Sequence, residues 1–86
     1  MIDKVAKSVA EIDLNTLVCP MIVVYQSTKE YPGQYAARVF DMDKPTNVIL
    51  VNKSLEELQQ DIRIHTRMFY IPRDPEDDKA IIGIWI

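Results

Sequence analysis

The pattern of apolar and polar positions changes from strand-like to helix-like near the middle of the chain. Residues 48–51 (Val-Ile-Leu-Val) form an uninterrupted aliphatic run, which is typical of a mostly buried strand. Leu55, Leu58 and Ile62 then follow at intervals of three and four positions, so that they share one face of a helix. The pattern therefore predicts a strand followed directly by a helix.

The start of the predicted helix carries a capping box. Ser54 and Glu57 are three positions apart. At this spacing the serine hydroxyl accepts a hydrogen bond from the glutamate backbone N–H, and the carboxylate accepts one from the serine N–H. Glu56 and Glu57 also place negative charge in the first turn, where the helix dipole favours it.

The first 18 residues predict a helical arm. Apolar residues recur there at helical spacing, at Ile2, Val5, Val9 and Ile12. This spacing predicts an amphipathic helix over residues 3–13. The helix would either cover the core or act as a detachable arm that binds a partner.

Two strands are predicted on either side of a turn, over residues 21–26 and 35–42. Between them, Tyr31-Pro32-Gly33-Gln34 suits a type II turn. Pro32 presets φ at the second turn position, and Gly33 supplies the positive φ needed at the third. The two strands are therefore expected to form a hairpin.

The remaining strands are predicted over residues 68–71 and 80–86. The resulting element order is α-β-β-β-α-β-β within a single domain of residues 1–86, with residues 1–18 as the arm. We expect an α+β fold, in which one face of an antiparallel sheet of about five strands is covered by one capped helix.

Composition narrows the function classes. Cys19 is the only cysteine, which excludes an intrachain disulfide and a cysteine-based zinc site. The net charge of −3 disfavours nonspecific nucleic-acid binding. No apolar run approaches the ~20 residues that span a bilayer, and the N-terminus lacks the order of a signal peptide. A cytoplasmic protein that does not enter membranes is expected.

Candidate chemistry is sparse. Arg63, His65 and Arg67 alternate, so in an extended chain they would share a face and form a weak anion-binding patch, or simply an exposed polar surface. His65 is the only histidine, and no nucleophile is evident for it. The acidic loop over residues 74–78 is interpreted as solvated. The sequence predicts no enzymatic activity, no cofactor and no metal.

The second face of the sheet is the candidate interface. If Ile82, Ile84 and Ile86 face the helix, alternation sends Trp85 to the opposite face. The residues expected together there are Val23, Tyr25, Phe40 and Trp85. Such an apolar surface needs a cover, either the N-terminal helix or a second subunit or partner. We predict a homodimer with Trp85 at or near the interface, and a small protein-interaction or regulatory module.

Two resemblances add to this interpretation. The run Tyr-Ala-Ala-Arg-Val-Phe-Asp from Tyr35, with Val-Asn-Lys-Ser-Leu-Glu-Glu-Leu from Val51, resembles the HicB-type antitoxin domain. That resemblance implies a toxin partner or a nucleic-acid-linked regulatory role. The longer stretch from Tyr31 to Trp85, with Pro-Arg-Asp-Pro-Glu-Asp-Asp in its last loop, is similar to small bacterial proteins without an assigned activity.

Overall fold

A computed structural model describes residues 2–86, which form one six-stranded sheet and one α-helix. The strands are β1 (Lys4–Ala6), β2 (Pro20–Gln26), β3 (Tyr35–Asp41), β4 (Lys44–Asn52), β5 (Tyr70–Pro72) and β6 (Ile81–Trp85). The helix α1 spans Leu55–His65, and two single-turn 3₁₀ helices span Val9–Glu11 and Leu14–Thr16.

The strands lie in the order β1-β4-β3-β2-β6-β5. All neighbours are antiparallel except β1 and β4, which are parallel. The expected α+β class, with a largely antiparallel sheet and one helix, is confirmed at this coarse level. The predicted element order is wrong at its first element.

The N-terminal arm is not an amphipathic helix. Residues 4–6 form β1 and the chain then makes the two 3₁₀ turns, so only short helical segments occur within residues 2–18; Met1 lies outside the described residues. An isolated helix of eleven residues is marginal in water, whereas β1 gains backbone hydrogen bonds from the edge of β4. Of the four residues at helical spacing, Val9 is buried in the core, but Ile2 and Val5 are exposed.

The cap of α1 is half of the predicted capping box. The Ser54 hydroxyl accepts from the Glu57 backbone N–H at 3.2 Å, as expected. The Ser54 backbone N–H donates instead to Asn52 Oδ1 at 2.8 Å, and Glu57 Oε2 accepts from Asn52 Nδ2 at 3.4 Å. Asn52 therefore takes the role predicted for the Glu57 carboxylate.

The core lies between α1 and one face of the sheet. Leu58 and Ile62 of α1 pack there together with Val9 of the first 3₁₀ helix. The sheet contributes Ile22, Val24, Ala37, Val39, Leu50 and Trp85. The arm and α1 therefore cover the same face of the sheet.

Trp85 lies on the α1 side of the sheet, so its predicted placement opposite the helix is wrong. Its side chain is 2% exposed, its Nε1–H donates to Gln59 Oε1 at 2.7 Å, and the Arg63 guanidinium lies 6.0 Å from its ring centroid. Isoleucines occur on both faces of β6, so alternation does not decide which face is inward. Gly83 leaves space beside the tryptophan that the Tyr70 ring fills.

The predicted type II turn agrees with the observed backbone. Gly33 has φ of 73°, and the Gln34 N–H donates to the Tyr31 carbonyl oxygen at 3.3 Å. Within residues 2–86, no helix is long and apolar enough to cross a membrane.

Candidate functional site

The face of the sheet away from α1, here called the open face, carries a cross-strand row that passes through all six strands. The row is set by the pairing register and consists of Val5, Ile49, Arg38, Val23, Ile84 and Ile71. Five of its six members are aliphatic. Among residues 2–86 no helix lies on this face.

The two halves of the open face differ in exposure. Val23 and Ile49 are buried even without a covering helix, and Ile49 lines a small pocket together with Thr28 and Glu30 of the β2–β3 loop. At the β5 edge, Phe69 is 78% exposed, and Ile86 and Ile71 are 49% and 46% exposed. We call Phe69, Ile71, Ile84 and Ile86 the apolar patch.

Backbone pairing places the members of the apolar patch side by side. Phe69 and Ile86 exchange two hydrogen bonds, of 2.7 and 2.9 Å, and Ile71 is the register partner of Ile84. Tyr70 points to the α1 side, where its ring centroid lies 5.2 Å from that of Trp85. Alternation therefore sends Phe69 and Ile71 to the open face.

The structure brings together three of the four residues predicted at the interface. Val23, Tyr25 and Phe40 belong to the open face, with register partners Arg38, Ala36 and Met21. Burial raises the pKa of Tyr25. Trp85 is separated from them by the sheet itself. Phe69 and Ile71 were missed, although the alternation of Phe69-Tyr70-Ile71 around an inward tyrosine carries the signal.

An ion pair occupies the other half of the open face. Arg38 on the central strand β3 binds the Asp3 carboxylate in a bidentate manner, with distances of 3.0 and 3.1 Å. The Tyr31 hydroxyl donates to the same carboxylate at 2.9 Å. Arg38 also donates to the Thr46 carbonyl oxygen at 3.0 Å, and Glu30 lies 3.5 Å away. We call Arg38 and Tyr31 the carboxylate clamp.

The carboxylate clamp and Asp3 shift one another's pKa values. Hydrogen bonds from Arg38 and then Tyr31 hold the pKa of Asp3 below its ordinary value. The pKa of Tyr31 is raised by burial and by its hydrogen bond to Asp3, and Asp3 raises the pKa of Arg38. The ionised form of Asp3 is therefore the one that the fold stabilises. No local pattern in the sequence predicts this pair, because its members are 35 positions apart.

The predicted anion patch does not form on one surface. Helix α1 continues to His65, where the Thr66 hydroxyl donates to the Ile62 carbonyl oxygen at 2.8 Å, so the assumed extended chain is wrong for this segment. Residues two positions apart on a helix point about 200° apart. Arg63 accordingly lies over Trp85, while His65 pairs with Asp61.

Asp61 is a structural anchor rather than part of a catalytic triad. Its carboxylate accepts from the Ser8 hydroxyl at 2.6 Å and from the Val9 N–H at 2.8 Å, which fixes the first 3₁₀ helix to α1. His65 Nδ1 lies 3.1 Å from the same carboxylate and 2.9 Å from the Asp61 carbonyl oxygen. Ser8 donates to Asp61 and not to His65, so the serine–histidine contact of a catalytic triad is not formed.

A groove of 740 Å³ separates the 3₁₀ turns from the end of α1, and His65 and Arg67 line it together with Asp13. The Asp13 side chain accepts from the Asn15 N–H, and His65 is paired with Asp61. Within residues 2–86, no group of three or more His, Cys, Asp or Glu side chains could hold a metal ion.

Comparison of the chain with known protein families, curated proteins and solved structures finds no match. The surfaces of the fold are therefore the basis for assigning a function.

Proposed function

We propose that this protein is a small non-enzymatic interaction module that works through the open face of its sheet. The observation that carries the proposal is the apolar patch, whose central aromatic side chain, Phe69, is 78% exposed. Apolar surface in water costs about 25 cal/mol per Å². A contiguous exposed patch on an otherwise well-packed domain is typical of a protein–protein contact.

The protein's own arm is not available as a cover for the apolar patch. Val9 in the first 3₁₀ helix packs with Leu58 and Ile62 on the α1 side, and β1 lies at the edge of the sheet beside β4. The arm, one of the two covers that the sequence left open, therefore lies away from the apolar patch. This supports a cover from a second chain.

A second copy of this chain is the partner that we propose. No side chain of the apolar patch is charged, so the side chains of two patches related by a two-fold axis meet without like-charge repulsion. Half-buried Met21, Tyr25 and Phe40 flank the patch and would extend the contact.

Face-to-face contact is favoured over pairing of sheet edges. The N–H groups of Phe69 and Arg73 point towards β6, so those of residues 70 and 72 point to the outer edge of β5. Residue 72 is proline and has no N–H to donate. Proline on an edge strand blocks the addition of another strand.

The expected dimer is weak. A phenylalanine side chain buries roughly 150–250 Å² when fully enclosed, so the apolar patch supplies a few hundred Å². A standard interface buries about 800 Å² per partner. Even with its flanking residues the contact stays below this area, and we expect a dissociation constant of roughly 100 μM.

The alternative, a HicB-like antitoxin or nucleic-acid-linked regulator, gains no support from the geometry. It would need a shared basic surface, and Arg63 and His65 point in different directions on α1. It is therefore kept only as an outcome of the tests.

Light scattering on the parent and on Phe69→Lys tests the proposal. Because the substitution places a charge in the centre of the contact, we expect the parent to approach twice its 10.0 kDa mass with rising concentration and Phe69→Lys to stay monomeric. Ile64→Lys is the matched control, since Ile64 is 64% exposed but lies on α1. A parent that stays monomeric would refute the second copy as partner, and a dimer that Phe69→Lys does not weaken would remove the open face from the contact.

A further inference from the structure

Strand β1 lies on the outer edge of β4, and the rest of the domain forms that edge without any contribution from β1. It pairs in parallel with the outer edge of β4 over only three residues, from Lys4 opposite Val48 to Ala6 opposite Leu50. Lys4 and Val5 are exposed, and Ala6 is half-buried. The strand therefore contributes backbone hydrogen bonds but little apolar burial.

The other side of this contact, formed by Arg38 and Tyr31, is held by hydrogen bonds that do not involve β1. Arg38 belongs to the central strand β3 and is held by its own bond to the Thr46 carbonyl oxygen. Tyr31 belongs to a turn that is closed by a hydrogen bond from the Gln34 N–H to the Tyr31 backbone carbonyl oxygen. Neither bond involves β1, so Arg38 and the turn that carries Tyr31 keep these anchors when β1 leaves.

The chain after β1 is anchored separately. Asp61 accepts from the Ser8 hydroxyl and the Val9 N–H, and Glu11 Oε2 accepts from the Lys7 N–H at 3.0 Å. The segment before Lys7 can therefore detach while Val9 stays in the core. Ile2 and Val5 are 91% and 55% exposed. A segment with so few buried apolar contacts belongs to the least stable part of a fold and opens locally.

We propose that the edge of β4 and the carboxylate clamp form a binding site for an extended segment of a partner protein that carries an aspartate or glutamate, and that β1 occupies this site in the free protein. Strand addition supplies backbone hydrogen bonds at an edge, and a bidentate arginine–carboxylate contact supplies specificity. The ligand pattern follows from β1 itself. It has a carboxylate at the position of Asp3 and a small residue three positions later, where Ala6 packs against the core.

Peptide binding to a variant with a weakened arm tests the site. The probe is a fluorescein-labelled peptide of residues 2–8 (Ile-Asp-Lys-Val-Ala-Lys-Ser), measured by polarisation against the parent and against Asp3→Asn. The tethered β1 competes in the parent and loses its charge-assisted bonds in the variant. We therefore expect the peptide to bind Asp3→Asn roughly tenfold or more tightly than the parent.

Two further measurements test whether the carboxylate decides binding. A peptide with asparagine in place of its aspartate, or a double variant with Asp3→Asn and Arg38→Gln, is expected to lose binding by roughly tenfold or more. Asp43→Asn, which removes the same charge from the exposed β3–β4 turn, should bind the peptide as the parent does. Equal binding of the two peptides to Asp3→Asn would overturn the proposal, as would equal affinity of the parent and Asp3→Asn.

The parent itself gives a second measurement should Asp3→Asn fail to fold. Excess peptide must then displace β1 and shift the amide resonances of residues 4–6, and a titration that leaves those resonances unchanged would refute the site. Light scattering decides the source of the segment. A dimer lost in Asp3→Asn would assign the site to the arm of a second copy and overturn the partner protein, whereas a dimer unchanged by Asp3→Asn supports it.

Discussion

Single residues show which parts of this domain can be inferred from local pattern and which depend on partners far along the chain. Gly33 has the positive φ that a proline–glycine turn requires, and Ser54 caps α1 at the residue where the pattern placed it. Asp3 gives no such signal. Its partner Arg38 lies on a strand that becomes its neighbour only when the sheet assembles.

The ion pair of Asp3 makes stability depend on pH in the acidic range. The folded pKa of Asp3 is lowered from 3.8 by Arg38 and Tyr31. Its contribution is therefore fully present above pH 3.8 and is lost as the pH falls through the folded pKa. We expect the difference in melting temperature between the parent and Asp3→Asn to shrink below pH 3.8.

Thermal melts from neutral to strongly acidic pH measure this difference. Asp43→Asn serves as the control for net charge, because its side chain lies in the exposed β3–β4 turn. A difference between the parent and Asp3→Asn that stays constant down to the lowest pH would contradict the role of the ion pair.

At the scale of elements, apolar periodicity predicted the central strand and the helix because both bury a clear stripe. Leu58 and Ile62 are core residues, as their spacing indicated. The sequence could not predict which residues of β6 face α1, because isoleucines line both faces of this strand. Trp85 faces α1 in the structure, where it contacts Gln59 and Tyr70. The arm was mispredicted because helical spacing of Ile2 and Val5 did not outweigh the backbone hydrogen bonds offered by the edge of β4.

The cap of α1 gives a prediction at the same scale. Ser54→Ala should lower the free energy of unfolding by about 0.5–2 kcal/mol, because the Glu57 N–H loses its acceptor. Asn52→Ala should cost about 1 kcal/mol, since it removes the acceptor of the Ser54 N–H. Glu57→Ala should cost less than either, because its carboxylate contacts only Asn52, at 3.4 Å. Urea denaturation measures the three values, and a Glu57→Ala cost equal to that of Asn52→Ala would restore the full capping box.

At the scale of the whole molecule, the fold has one well-covered face and one uncovered face. The helix and the 3₁₀ turns both pack on the first, and the uncovered face ends in the apolar patch at the β5 edge. The sequence predicted that a second apolar face exists. It could not predict where that face is exposed, because the burial of Val23 and Ile49 depends on the folded chain.

Isoleucine methyl NMR reports directly whether the open face binds a second copy through the apolar patch. Spectra are compared from about 20 μM to about 1 mM, a range that brackets the dissociation constant expected for a small interface. We expect the methyl resonances of Ile71, Ile84 and Ile86 to shift with concentration. Ile2 and Ile64, which are exposed elsewhere, should not shift. Shifts confined to Ile2 and Ile64, or no shifts over the whole range, would contradict binding through the apolar patch.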